Sequence, residues 1–226
     1  MRFFSCLSYL GFGTPQAKVS DISREKVLVM FGDSNFYYSP RMTFLSRLLG
    51  NLWLHESVGE MVRAQLRGRV ILASTPCLNY RDSTMKQLQT SLETLLALHP
   101  NADVHVLVLV GQNDADAASR ESTSVSAERI DQFRQFIKDK AQKLEDDLMQ
   151  FREATIHWVI PFDDPKAEWT PLYVQLVEEL KRMISLRQSV VSEFGPFSSF
   201  EVDQYHLVTE ERTKFANQVL KWFANL

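Results

Sequence analysis

Three clusters in this chain hold the residue types that together can move an acyl group. Gly32-Asp33-Ser34 follows directly on the apolar run Lys26-Val27-Leu28-Val29-Met30-Phe31. Asp203-Gln204-Tyr205-His206 sets a carboxylate and an imidazole three residues apart, just ahead of a final amphipathic segment. Gly111-Gln112-Asn113-Asp114 closes the strongest strand-like run, Val104 to Val110. A serine hydroxyl is a weak nucleophile until a base takes its proton, and an imidazole base needs a carboxylate to hold its tautomer and orientation. This combination points to acyl transfer at Ser34, with His206 as general base and then acid and Asp203 as its orienting carboxylate. The other histidines lack such a partner in sequence: His105 and His157 fall inside strand-like runs, His99 precedes Pro100, and His55 opens a polar stretch.

Such groups need rigid elements to aim them. Four apolar runs of strand length, Lys26–Phe31, Arg69–Ser74, Val104–Val110 and Thr155–Ile160, alternate with helical patterns, and a weaker fifth lies around Phe197 to Val202. Their hydrophobicity is continuous rather than alternating, which suits strands covered by helices on both faces of a parallel sheet. Ile130, Phe133, Phe136, Ile137, Ala141, Leu144 and Leu148 recur at three and four residues and predict one long helix, with Ser124 or Ser126 as its cap. A last helix is predicted from Thr209, burying Phe215, Val219, Leu220, Trp222 and Phe223. The stretch Ala115 to Ser126 reads as a loop over the site. Strand–helix alternation predicts a three-layer α/β fold, and such sheets bind ligands beyond the carboxyl ends of their strands. Ser34, the Thr75–Ser83 loop, Asn113, Asp203 and His206 are all expected on that edge.

Bulk composition narrows the classes further. The chain has 226 residues, 45% of them hydrophobic and 15 of them Phe, enough for a full core rather than a disordered chain. A net charge of −3 without Lys or Arg clusters argues against nucleic-acid binding. Cys6 and Cys77 form neither a metal spacing nor a disulfide framework, which suits a reducing, cytoplasmic setting. Residues 1–17 start positive and carry an apolar stretch, but Ser5, Ser8 and Gly11 dilute it; export would require this stretch to act as a signal peptide. The expected organisation is an N-terminal extension, 1–25, and one domain, 26–226, without a membrane span.

The three clusters resemble blocks of the SGNH (GDSL-type) hydrolase superfamily. Gly32-Asp33-Ser34 matches its first block, Gly111-Gln112-Asn113-Asp114 its third, and Asp203-Gln204-Tyr205-His206 its fifth, in the same order and from about Val27 to the C-terminus. The resemblance implies a flavodoxin-like α/β/α sandwich of about five mostly parallel strands and a serine esterase with a Ser34–His206–Asp203 triad. It implies no cofactor and no metal, and a small-molecule carboxylic ester as substrate; members act on lipids, thioesters, acetylated sugars and aryl esters. The oxyanion hole would combine the Ser34 backbone N–H, the Asn113 amide and a backbone N–H from the second block, with Gly32, Asp33, Gly111 and Asp114 in supporting roles. In that second block the chain departs from the pattern: Thr75-Pro76-Cys77-Leu78-Asn79-Tyr80-Arg81-Asp82-Ser83-Thr84 has no glycine, and Arg81 takes its place. Arg81 retains a backbone donor, yet its side chain would narrow the pocket or set a cation there, favouring a short or acidic acyl group. Leu207 also stands where the family commonly has proline. The aromatics Phe36, Tyr37, Tyr38 and Trp169 are candidates for pocket walls. The alternative reading is a non-catalytic SGNH-fold module that binds RNA or protein.

Overall fold

In the computed structural model of the protein, residues 25–37, 57–120, 124–150, 154–162, 170–192, 194–201 and 206–226 are described. Asp203, His55, Tyr38, Trp169, Cys6 and all of the N-terminal extension except Glu25 lie outside these residues. The chain runs β1 (Lys26–Gly32), α1 (Ser34–Tyr37), α2 (Val58–Leu66), β2 (Val70–Ser74), α3 (Asp82–Leu98), β3 (Asp103–Leu109), α4 (Gln112–Arg120), α5 (Ala127–Met149), β4 (Thr155–Val159), α6 (Pro171–Ser185), β5 (Val190–Val191) and α7 (Thr209–Ala224). The five strands form one sheet in the order β2-β1-β3-β4-β5, every neighbouring pair parallel. This is the three-layer, flavodoxin-like α/β/α arrangement.

The strand sequences explain the layering. In β1, Val27, Val29 and Phe31 point into a core shared with α3, α5 and α6, while Leu28 and Met30 point into a second core shared with α1, α2 and α7. Because successive strand side chains face opposite ways, a run without polar residues is stable only when both faces are covered. On α5, Phe133, Ile137, Ala141, Leu144 and Leu148 form the buried stripe, and the Ser126 hydroxyl accepts the Arg129 N–H at 3.3 Å as the helix cap. On α7, Phe215, Val219, Trp222 and Phe223 are buried.

Two sequence-based expectations need correction. The fifth strand is Val190–Val191, not Phe197–Val202. The described residues Phe197–Glu201 join no strand of the sheet, and Phe200 forms an isolated antiparallel bridge with Leu207. Their aromatics serve the second core instead: Phe197 packs edge-on against Phe162 at 4.7 Å. The stretch after Asp114 is not a loop as far as Arg120, because Ala115, Ala117 and Ala118 continue a helix that Gln112 opens.

One polar cluster crosses the sheet below the site. His105 Nδ1 and His157 Nε2 lie 3.1 Å apart on adjacent strands, and His157 Nδ1 lies 2.9 Å from the Ser189 hydroxyl. Trp222 packs edge-on against His157 at 4.9 Å. Burial, then the neighbouring His105, lowers the His157 pKa to about 4. A histidine with a depressed folded-state pKa costs stability as pH falls from the free value near 6.5 toward the folded value. Relative to wild type, His157→Gln is therefore expected to gain stability progressively between pH 6.5 and about 4, read from urea midpoints. Parallel pH profiles for the two proteins would exclude His157 as a source of acid sensitivity.

Candidate functional site

The carboxyl ends of three strands finish at one level. Gly32 is paired with Ser74 on one side and Leu109 on the other. Beyond that level the chain is stitched sideways: the Thr75 N–H donates to the Gly32 carbonyl at 2.7 Å, and the Asp33 N–H donates to the Leu109 carbonyl at 3.0 Å. A Cβ on Gly32 would come within 2.7 Å of that Leu109 oxygen and 2.4 Å of the Phe36 ring, so the turn closes only around glycine.

Ser34 opens α1 and is half-buried. The capping of this short helix falls to its neighbour: Asp33 Oδ1 accepts the Asn35 N–H at 2.9 Å, and the Asp33 carbonyl accepts the Phe36 N–H at 3.1 Å. Phe36 is fully buried, stacked on Phe215 at 5.7 Å, and the Tyr37 hydroxyl donates to the Met30 carbonyl. Phe36 therefore belongs to the core rather than to a pocket wall, and the Tyr37 hydroxyl is spent on β1.

Asn113 and Asp114 enter from β3. Gly111, at φ +114°, makes the turn from strand to helix in a backbone region that L side chains rarely adopt. The Asn113 amide donates to the Pro76 carbonyl at 2.7 Å, and Asp114 Oδ2 accepts the Leu78 N–H at 2.8 Å. The glycine-free loop after β2 is thereby drawn across onto α4. Its far end is held as well: the Tyr80 hydroxyl donates to Asp147 at 2.5 Å, Lys143 reaches the same carboxylate at 2.6 Å, and Lys140 donates to the Asn79 side chain at 2.9 Å. Arg81 occupies the N-cap position of α3, exposed, with its carbonyl accepting the Thr84 N–H at 2.9 Å.

A buried amide relay links these turns. Asn35 Nδ2 donates to Gln112 Oε1 at 3.1 Å, and Gln112 Nε2 donates to the Phe162 carbonyl at 3.1 Å, which ties the ends of β1, β3 and β4 together. The sequence pattern gave neither Asn35 nor Gln112 this role; the available signal was two carboxamides at successive strand ends, a residue type seldom buried without a partner.

His206 lies ahead of α7 in an antiparallel pairing. Its carbonyl accepts the Glu201 N–H at 2.7 Å, the Val208 N–H donates to the Ser199 carbonyl at 3.2 Å, and Phe200 bridges to Leu207. Leu207 shares the second core with Phe36 and Phe215. The segment carrying His206 and the helix that starts at Ser34 are thus packed into one apolar cluster. Asp203, three residues before His206 in sequence, lies outside the described residues.

Two buried carboxyls sit under the site. Burial raises the Asp33 pKa to about 7, opposed by the Asn35 N–H and reinforced by the charge of Asp114. Burial likewise raises Asp114 to about 6, opposed by the Leu78 N–H. Beside Asn113 opens a cleft of about 500 Å³, lined by Cys77, Arg129, Phe133, Phe136 and Leu172 among others. Among the described residues no group of three or more His, Cys, Asp or Glu side chains is placed to hold a metal ion, and no helix is long and apolar enough to cross a membrane.

No protein-family model matches the sequence, and no curated protein matches it. Solved structures do resemble the fold. One crystal structure superposes with a TM-score of 0.54 at 13% identity, covering 89% of this chain and 98% of its own. A lipase/acylhydrolase from Enterococcus faecalis superposes more loosely, with a TM-score of 0.42 at 16% identity, covering 87% of this chain and 94% of its own. At such identities the likeness bears on the fold alone.

Asp33 yields a pH prediction of opposite sign to that of His157. A carboxyl whose folded-state pKa is raised binds its proton more tightly in the native state, so it costs stability as pH climbs from about 4 toward 7. Asp33→Asn keeps an oxygen for the Asn35 N–H and removes the titration. Relative to wild type it should gain stability across that range, on the order of a few kcal/mol by pH 8. Coincident pH profiles would show that Asp33 is not the buried acid described here.

Proposed function

We propose that the protein is a serine hydrolase of the SGNH type acting on carboxylic esters. The observation that carries this reading is the turn after β1: Asp33, not Ser34, accepts the helix N–H, so the serine hydroxyl is not consumed by capping. Ser34 is the proposed nucleophile, His206 the base that takes its proton and returns it to the leaving alcohol, and Asp203 the carboxylate that holds the imidazolium. Attack on the ester carbonyl forms an acyl-serine with loss of the alcohol, and water then adds to the same carbon and releases the acid.

The developing oxyanion would receive the Ser34 backbone N–H, a backbone N–H near Arg81 and the Asn113 amide. Asn113 is held beside the loop after β2 by the bond from its amide to the Pro76 carbonyl. The apolar part of the cleft beside Asn113 would suit an organic ester group, with Arg129 at its polar side. The chemistry requires neither metal nor cofactor.

A second reading is a binding module on the same fold. It is favoured by the lack of a second-block glycine, together with the bond from the Asn113 amide to the Pro76 carbonyl.

p-Nitrophenyl ester hydrolysis separates the two. Wild type should turn over, and Ser34→Ala and His206→Ala should each lose at least about a thousandfold in kcat while keeping the circular dichroism of the folded protein. Equal rates in wild type and Ser34→Ala would defeat the hydrolase reading, as would an inert wild type.

A further inference from the structure

Helix α7 holds the most buried cation among the described residues, and the mechanism above gives it no part. Arg212 has only 1% of its surface exposed. Its Nη1 pairs with Glu201 Oε1 at 3.0 Å and also donates to the Leu207 carbonyl, while its Nη2 donates to the Thr209 hydroxyl at 2.7 Å. Glu201 and Leu207 stand on the two paired arms, and Leu207 is the next residue after His206. One guanidinium therefore clamps both arms of this pairing.

It is the last of a row of clips along α7. The Gln218 side chain exchanges two hydrogen bonds of 3.0 Å with the backbone of Gly195. One turn or more toward the site, Lys214 donates to the Pro196 carbonyl at 2.5 Å, and Glu211 accepts the Ser198 N–H and hydroxyl at 3.0 and 3.1 Å. Helix and segment thus run side by side as far as Glu201, and the row ends on Arg212. A planar fork that reaches three acceptors fixes direction as well as distance, which an ammonium group cannot reproduce. A buried charge is also expensive unless fully paired, so a core helix retains one where its geometry is used.

We propose that Arg212, with Glu201, is a positioning residue that holds the His206 segment in register with the Ser34 turn. This rests on the hydrolase reading above. In this role Arg212 acts through Glu201 and the Leu207 carbonyl, on the two paired arms beside the proposed base.

Arg212→Lys and Glu201→Gln are compared with wild type in p-nitrophenyl ester kinetics. Misplacing a base by about an ångström lowers turnover more than binding, so kcat should fall roughly 10- to 100-fold with KM little changed. A merely structural clamp would lower the urea midpoint and leave kcat of the folded enzyme intact, and that result overturns the proposal. So does a rise in KM at constant kcat. Should Arg212→Lys fail to fold, Glu201→Gln decides, since it keeps the acceptor and removes only the charge. A wild type without turnover would sink the hydrolase reading by itself. The His206 ring resonances in Glu201→Gln then test the clamp: displaced or broadened signals support it, and signals unchanged from wild type refute it.

Discussion

The arrangement depends on how closely the end of β1 approaches its neighbours. Two backbone hydrogen bonds, Thr75 N–H to Gly32 and Asp33 N–H to Leu109, extend the sheet's pairing one step past its last residues. Each contributes modestly on its own, about 0.5–1.5 kcal/mol net. Their larger effect is geometric. They leave no room for a side chain at position 32, they force the chain to turn at Asp33, and they bring Ser34 out level with the loop after β2 and the start of α4. The amide relay from Asn35 through Gln112 to Phe162 carries the same alignment to β4.

The two faces of the sheet then divide the work. On one side, α4 and α5 take hold of the loop after β2 through Asn113, Asp114 and the Tyr80–Asp147–Lys143 group. This loop lacks the glycine that would let it lie close to the site by conformational freedom, and it is fixed by side-chain contacts instead. On the other side, α7 secures the His206 segment through Glu211 and Arg212, and Phe215 stacks on Phe36 beneath Ser34. Both sets of contacts converge on the edge where the proposed nucleophile stands.

Much of the fold was legible in the sequence because its signals are local. Unbroken apolar runs such as Val104–Val110 mark doubly covered strands, and the spacing from Phe133 to Leu148 marks one helical face. What escaped was decided by tertiary contacts. Val190–Val191 is too short to stand out and becomes a strand only by pairing with Trp158 and Val159. The Phe197–Val202 segment has strand-like composition, yet α7 claims it through side-chain clips that periodicity does not record. Phe36 and Tyr37 were ambiguous for the same reason, since an aromatic next to a turn is core or pocket according to what packs on it. The candidate site residues themselves were chosen by their chemistry and order along the chain. The buried groups that hold them, Asn35, Gln112 and Arg212, are visible only once the elements are assembled.

Covalent capture of Ser34 tests the central claim most directly. A fluorophosphonate transfers its phosphorus to an activated serine and to few others, and peptide mass spectrometry reads the position. The account requires a single adduct on the peptide containing Ser34, formed by wild type and lost when His206 is replaced by Ala. An unmodified Ser34 in the folded wild-type protein, or labelling that persists without His206, would contradict it.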